Sequence, residues 1–269
     1  MPIEVATDIR RFEQVEFHLV DEKLMRIVFD VHNEFGRFFD EALYKKEIAA
    51  RWTINGLGSA EPEVRITVSH DTFRKDYLID LLFNHGVVLE AKAAERIAPA
   101  HRSQSLHYLF LTGLQHGRLV NLRPASVEYE FFSTKLTLEK RRQFSLVESN
   151  WLAANPESAW LREKLLALLN DWGTHLELAL YRDAITHFLG GSEAVVRPVN
   201  VFSSKRFLGE QSVHLLTEDT AFAFTAINEG QSSMKEHQQR FLKHTPLRYI
   251  QWINLNHHKI ELATLTNEK

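Results

Sequence analysis

The chain has 269 residues, of which 44% are hydrophobic and 25% are charged, a composition typical of globular rather than disordered proteins. The absence of cysteine excludes disulfide bonds, thiolate nucleophiles and cysteine-ligated metal centres. The net charge of −3 and the pI of about 6.5 argue against nucleic-acid binding through bulk positive charge, but they leave open an enzyme whose metal ions neutralise phosphates locally.

The sequence carries no membrane or export signal. No apolar run approaches the roughly 20 residues that span a bilayer, and the N-terminal segment MPIEVATDIRRFEQVEF is too charged for a secretory signal. We therefore expect a cytoplasmic protein that makes no membrane contact.

Two helices are predicted near the start of the chain. Apolar residues between positions 24 and 35 recur at the spacing of one helical face, and Asp21 is a plausible N-cap. Gly36 ends or kinks this helix, and residues 41–48 continue with a second helical pattern.

Strand-like runs rich in β-branched and aromatic residues follow the helices. They lie at 64–69, 77–83, 87–93, 118–122 and 126–133, with a helical pattern at 101–112. The loop Asn84-His85-Gly86 predicts a hairpin, in which Phe83 faces Val87 and Asp80 faces Glu90. This order of elements predicts an α/β or α+β fold with a mixed sheet.

The sequence also repeats itself. Residues 33–48 resemble residues 170–185, and two further pairs follow in the same order, 79–82 with 213–216 and 111–122 with 244–255. Chance similarity between two amphipathic helices would explain only the first pair, so three collinear pairs favour an internal duplication. We predict one copy over 20–132, a second over 157–265, and a polar connector over 133–156.

Asp80, Glu90 and Lys92 are charged residues within otherwise apolar strands, where charges are unfavourable unless they are paired or bind a ligand. Glu90 and Lys92 share one face of their strand, and Asp80 joins them from the paired strand. Two neighbouring carboxylates favour a hard cation between them, and the lysine would orient or deprotonate a water or stabilise a charged transition state. The alternative is a structural lysine–carboxylate pair on a half-exposed strand.

Asp80 and the Glu90-Ala91-Lys92 run resemble the signature of PD-(D/E)XK nucleases, with Ile79 in place of the proline. The first copy is also similar to the GxxExxY protein family, which is grouped with that superfamily. The residues that carry this similarity are Gly36, Glu41, Tyr44, Tyr77, Asp80, Glu90, Lys92, Gln104 and Tyr108. Phe38 occupies the position of the second glycine in the family motif.

The resemblance implies a PD-(D/E)XK-like mixed sheet flanked by helices, duplicated within the chain as a pseudo-dimer, and a nuclease that depends on Mg²⁺ or Mn²⁺. It implies that Glu41, Asp80 and Glu90 bind the metal. It also implies that Lys92 acts in catalysis, and that Gln104 and Tyr108, which are four residues apart on one helical face, position the lysine or the substrate backbone.

The second copy lacks these charges. When Asp80 is aligned with His214, Phe224 and Ala226 stand where Glu90 and Lys92 stand, and Leu178 replaces Glu41. We therefore expect a single active site, in the N-terminal half, acting on DNA or RNA. The rival hypothesis is a nucleic-acid-binding or protein-interaction scaffold with a nuclease-like fold, and a homodimer stays open under either hypothesis.

Overall fold

The computed structural model describes residues 2–267, and contacts within it divide the chain into two units, Met1–Leu138 and Glu139–Lys269. Among the described residues, none of the helices is both long and apolar enough to cross a membrane.

The first unit is a six-stranded mixed sheet with helices. Its elements are β1 (Ile3–Val5), α1 (Gln14–Phe35), α2 (Glu41–Ile54), β2 (Ala60–His70), β3 (Phe73–Phe83), β4 (Val87–Lys92), α3 (Pro99–Thr112), β5 (His116–Asn121) and β6 (Glu128–Ser133). The strands lie in chain order, β1 to β6. Only the pairing of β4 with β5 is parallel in this sheet, and α3 forms the crossover that a parallel pair requires.

The core of this unit lies between α1, α2 and the central strands. Apolar residues of both helices are buried against alternate residues of β3 and β4, including Leu81, Phe83 and Leu89. At the junction of the helices Gly36 adopts a φ of 71°, a conformation that favours glycine. The hydroxyl of Tyr44 donates a 2.7 Å hydrogen bond to the carbonyl of Gly36, which fixes the start of α2.

The second unit holds a four-stranded sheet and a separate two-stranded hairpin. Its elements are α4 (Leu138–Arg141), β7 (Ser145–Asn150), α5 (Pro156–Trp172), α6 (Leu178–Phe188), α7 (Ser192–Val195), β8 (Val196–Ser203), β9 (Arg206–His214), β10 (Thr220–Thr225), α8 (Gln231–Lys243), β11 (Tyr249–Asn256) and β12 (Lys259–Thr266). The larger sheet has the order β10-β11-β12-β7, and β8 pairs only with β9.

The predicted connector 133–156 is therefore partly structured. It contains β7, which pairs in parallel with β12, bringing Leu146 opposite Ile260. This strand was not predicted from the sequence because its residues are largely polar. An edge strand that is covered on only one face does not need a continuous apolar pattern. The second unit consequently begins before residue 157.

From α5 onwards, the second unit follows the element order of the first from α1 onwards, with the short α7 added. Two side-chain hydrogen-bonding patterns recur as well. Tyr181 donates to the carbonyl of Gly173, as Tyr44 does to Gly36.

A buried asparagine also recurs. Asn121 hydrogen bonds to both the N–H and the carbonyl of Ala94, and Asn254 does the same with Ile227; the partners are 27 residues apart in both units. The two units therefore share local contacts as well as element order.

Candidate active site

β3 and β4 bring Asp80 and Glu90 together. The strands pair in the predicted register at their loop, with Phe83 opposite Val87. At Asp80, two residues before Leu82, carboxylate oxygens accept hydrogen bonds from backbone N–H groups. Ala91 N–H donates to Asp80 Oδ2 at 3.0 Å, and Asp80 N–H donates to Glu90 Oε1 at 3.3 Å. Both carboxylates are thus anchored on the main chain of the neighbouring strand.

Lys92 completes this arrangement. Its Nζ lies 3.4 Å from Asp80 Oδ2 and 3.5 Å from Glu90 Oε2. The structure therefore brings together the three residues that carried the sequence prediction. We refer to Glu41, Lys45, Asp80, Glu90 and Lys92 as the acidic cluster.

Lys45 is a member of this cluster that the sequence interpretation missed. Its Nζ donates a 2.9 Å hydrogen bond to Asp80 Oδ1 and lies 3.7 Å from Glu41 Oε1. The Lys45 ammonium therefore bridges the carboxylates of Glu41 and Asp80. The available signal was spacing, because Lys45 follows Glu41 by four residues and so shares its helical face.

Burial and charge determine how these groups titrate. The Glu90 side chain is 1% exposed, and burial together with repulsion by Asp80 raises its pKa well above the usual carboxyl value. Burial lowers the pKa of Lys92, but attraction by Asp80, Glu90 and Glu41 outweighs it, so the net shift is upward. The pKa of Lys45 is raised in the same way, mainly by Asp80 against the effect of burial.

Gln104 and Tyr108 lie on α3 and contact each other. The Gln104 side-chain amide donates a 2.9 Å hydrogen bond to the Tyr108 hydroxyl. The Tyr108 ring lies 6.5 Å from that of Tyr77, and Tyr77 packs edge-on against His107 at 4.6 Å. Tyr77 is on β3, three residues before Asp80, and the role of Gln104 and Tyr108 in positioning stays a prediction.

No group of three or more His, Asp or Glu side chains suitable for a metal is assembled among residues 2–267. Glu41, predicted as the third ligand, instead contacts Lys45. Asp80 and Glu90 nevertheless supply a pair of anchored carboxylates. Two are sufficient for Mg²⁺, which typically binds one or two carboxylates and completes its shell with water and substrate phosphates.

The second unit offers no comparable pair at the corresponding strand. Lys92 pairs with Asn121 in the parallel β4–β5 ladder, and Thr225 pairs with Asn254 in the parallel β10–β11 ladder. Since the two asparagines make the same hydrogen bonds, Thr225 occupies the position of Lys92. Ala223, two residues earlier, occupies that of Glu90.

This corrects the alignment predicted from sequence, which placed Phe224 and Ala226 at those positions. The prediction carried a constant offset forward from His214. The bridge between Leu215 and Ala221 matches the pairing of Leu82 with Val88, so Val213, rather than His214, corresponds to Asp80. An error of one residue on a strand exchanges its two faces, although neither alignment supplies a carboxylate.

Comparison with known proteins places the similarity in the first unit. No curated protein matches the chain. A solved structure, the crystal structure of SSO0001, shares 16% identity over 46% of this chain and 80% of its own length, with a TM-score of 0.27, too low to support an argument about fold. A family model described as PD-(D/E)XK nuclease superfamily matches residues 18–132, the segment that contains the whole acidic cluster.

Proposed function

We propose that the first unit is a nuclease that hydrolyses phosphodiester bonds of nucleic acid with the help of Mg²⁺ or Mn²⁺. The observation that carries this proposal is the convergence of Asp80, Glu90 and Lys92 on adjacent strands. The superfamily similarity over residues 18–132 supports it, because it covers the same elements.

In this proposal Asp80 and Glu90 hold the divalent cation. Bound there, the cation would polarise a phosphoryl oxygen and lower the pKa of a water. The raised pKa of Glu90 reflects a buried carboxylate that repels Asp80, and a positive ion between them would relieve that repulsion.

Lys92 acts in this proposal as a fixed positive charge. Its raised pKa keeps the ammonium protonated near neutral pH, which favours stabilisation of developing negative charge or orientation of a water over proton abstraction. Lys45 holds Asp80 Oδ1, and in this proposal it competes with the cation for that oxygen.

We further propose that the chain is an internal duplication with one catalytic unit, a pseudo-dimer. The shared element order and the recurring Tyr–Gly and Asn contacts support common ancestry. Ala223 and Thr225 at the positions of Glu90 and Lys92 support a single site. A single site would nick one strand per binding event, and a homodimer stays a prediction.

Cleavage assays test the nuclease proposal. Labelled single- and double-stranded DNA and RNA are incubated with Mg²⁺, Mn²⁺ or EDTA, using wild type, Lys92→Ala and, as a matched control, Lys46→Ala, an exposed lysine on α2. We expect metal-dependent cleavage that only Lys92→Ala abolishes. No cleavage of any substrate, or equal cleavage by all three proteins, would contradict the proposal and favour the scaffold.

A further inference from the structure

The second unit contains a cleft of about 590 Å³ that has no counterpart in the function proposed above. Residues of α6, of the turn into α7 and of the end of β9 line it: Arg182, Asp183, Thr186, His187, Gly191, Ser192 and His214. Its volume falls within the roughly 300–1,000 Å³ typical of small-ligand sites.

We propose that this cleft binds a phosphate group. Arg182 supplies a permanent positive charge with several N–H donors, the arrangement that recognises phosphate best. His187 and His214 add ring nitrogens that can donate, and Ser192 adds a hydroxyl. The proposal is independent of nuclease activity in the first unit.

The cleft also contains a carboxylate, and its effect is small. Asp183 Oδ1 lies 3.9 Å from Arg182 Nε, and the two side chains are 42% and 41% exposed. An exposed pair at that distance contributes little. A phosphate that accepts hydrogen bonds from Arg182 can therefore replace Asp183 as its main partner.

A buried hydroxyl also borders the cleft. Thr186 is 6% exposed, and its Oγ1 has no hydrogen-bond partner among the described residues. An unsatisfied buried polar atom is unfavourable by about 1–3 kcal/mol, and native proteins rarely retain one without a reason. Thr186 lines the cleft, but this oxygen is closed to solvent, so its side chain would have to rotate to donate to an oxygen acceptor bound there.

The position of the cleft in the fold strengthens the inference. Arg182 follows Leu178, the first residue of α6, by four residues, as Lys45 follows Glu41, the first residue of α2. His214 ends β9, which occupies the place of β3 in the element order.

The second unit thus keeps a cation, Arg182, at the position of Lys45, but it lacks the carboxylates that surround Lys45 in the acidic cluster. Outside such a cluster, the arginine can attract an anion. This would give the second unit a binding role of its own, rather than only the loss of a catalytic site.

Calorimetric titration of the full-length protein tests the proposal. The probes are inorganic phosphate, a 5′-mononucleotide, and an oligonucleotide with or without a 5′-phosphate, all with EDTA and at constant ionic strength. The variants are Arg182→Gln, Thr186→Val and, as a matched control, Arg240→Gln, which removes an exposed arginine from α8 in the same unit.

We expect at least one phosphate-bearing probe to bind about tenfold more weakly to Arg182→Gln, as loss of a charge-assisted hydrogen bond implies. Thr186→Val should weaken binding severalfold while the variant remains folded by circular dichroism, and Arg240→Gln should bind like wild type. The probe that binds most tightly identifies the source of the phosphate. No binding of any probe, or equal weakening by Arg182→Gln and Arg240→Gln, would overturn the proposal.

Discussion

The two units share supporting contacts but differ in the side chains that could perform chemistry. A tyrosine fixes the helix junction and a buried asparagine ties the turn beyond the parallel strand in both. The charged strand positions between these contacts differ: Ala223 and Thr225 occupy, in the second unit, the positions of Glu90 and Lys92. This difference shows that similar local contacts can support segments with very different reactive residues.

The largest expected effect comes from removing a proposed metal ligand of the first unit. Asp80→Asn should lower the rate of metal-dependent cleavage by about 100-fold or more, because the cation would lose one of its two anchored carboxylates and a preorganised charge typically contributes that much. His214→Ala, at the end of the corresponding strand, should leave the rate unchanged. Single-turnover cleavage at saturating protein measures both, and an equal loss in the two variants would contradict the assignment of one active site.

The shared asparagines should matter equally in both units. Asn121 and Asn254 are almost fully buried, and replacing either with alanine leaves the N–H and the carbonyl of its turn unsatisfied. We expect each variant to be destabilised by about 2–4 kcal/mol. Hydrogen exchange followed separately in β5 and β11 measures the change in each unit. A large effect in one unit and none in the other would show that the recurring contact is not a common support.

The sequence was sufficient to predict the first two helices and the central strands of the first unit, but not β1 (Ile3–Val5). The prediction that Asp21 caps the first helix was wrong, because α1 begins at Gln14 and Asp21 lies inside it.

The apolar spacing of the sequence identified both helices, and the short loop at Asn84 set the hairpin register, which the structure confirms at Phe83 and Val87. The contact of Lys45 with Asp80 was not predicted because it joins residues distant in sequence, and a helix face alone does not specify its partner strand.

The second unit was harder to predict for physical reasons. Strand β7 lies at a sheet edge within a polar segment, where one exposed face removes the apolar pattern. The pairing of Leu215 with Ala221, which determines which residues correspond between the units, leaves no signal in composition. The cleft around Arg182 depends on how α6 and β9 come together, which local patterns do not encode.

Lys45 offers a test of how the acidic cluster admits a cation. Lys45→Met removes the ammonium from Asp80 Oδ1 while keeping a long apolar side chain, so Mn²⁺ should bind about tenfold more tightly, in keeping with loss of one close competing charge. Arg182→Met, at the corresponding helix position of the second unit, should not change Mn²⁺ affinity. Titration followed by Mn²⁺ electron paramagnetic resonance measures free metal directly, and unchanged affinity in Lys45→Met would show that Lys45 does not compete.

The smallest effect concerns stability. The folded-state pKa of Glu90 is raised above its unfolded value, so its contribution to stability is present at low pH and is lost as the pH rises through the folded pKa. In EDTA, Glu90→Gln should therefore be more stable than wild type at pH 8 by about 1 kcal/mol or more, since one pKa unit corresponds to about 1.4 kcal/mol. The difference should shrink towards pH 4.5. Urea unfolding at several pH values measures this difference in stability, with Glu261→Gln in the second unit as the control.

Equal stability of Glu90→Gln and wild type at pH 8 would show that Lys92 fully compensates the charge of the buried carboxylate. A gain in stability together with lost cleavage would instead indicate that the first unit keeps a destabilising charge because its function requires it. The second unit has Ala223 at that position and carries no such charge there.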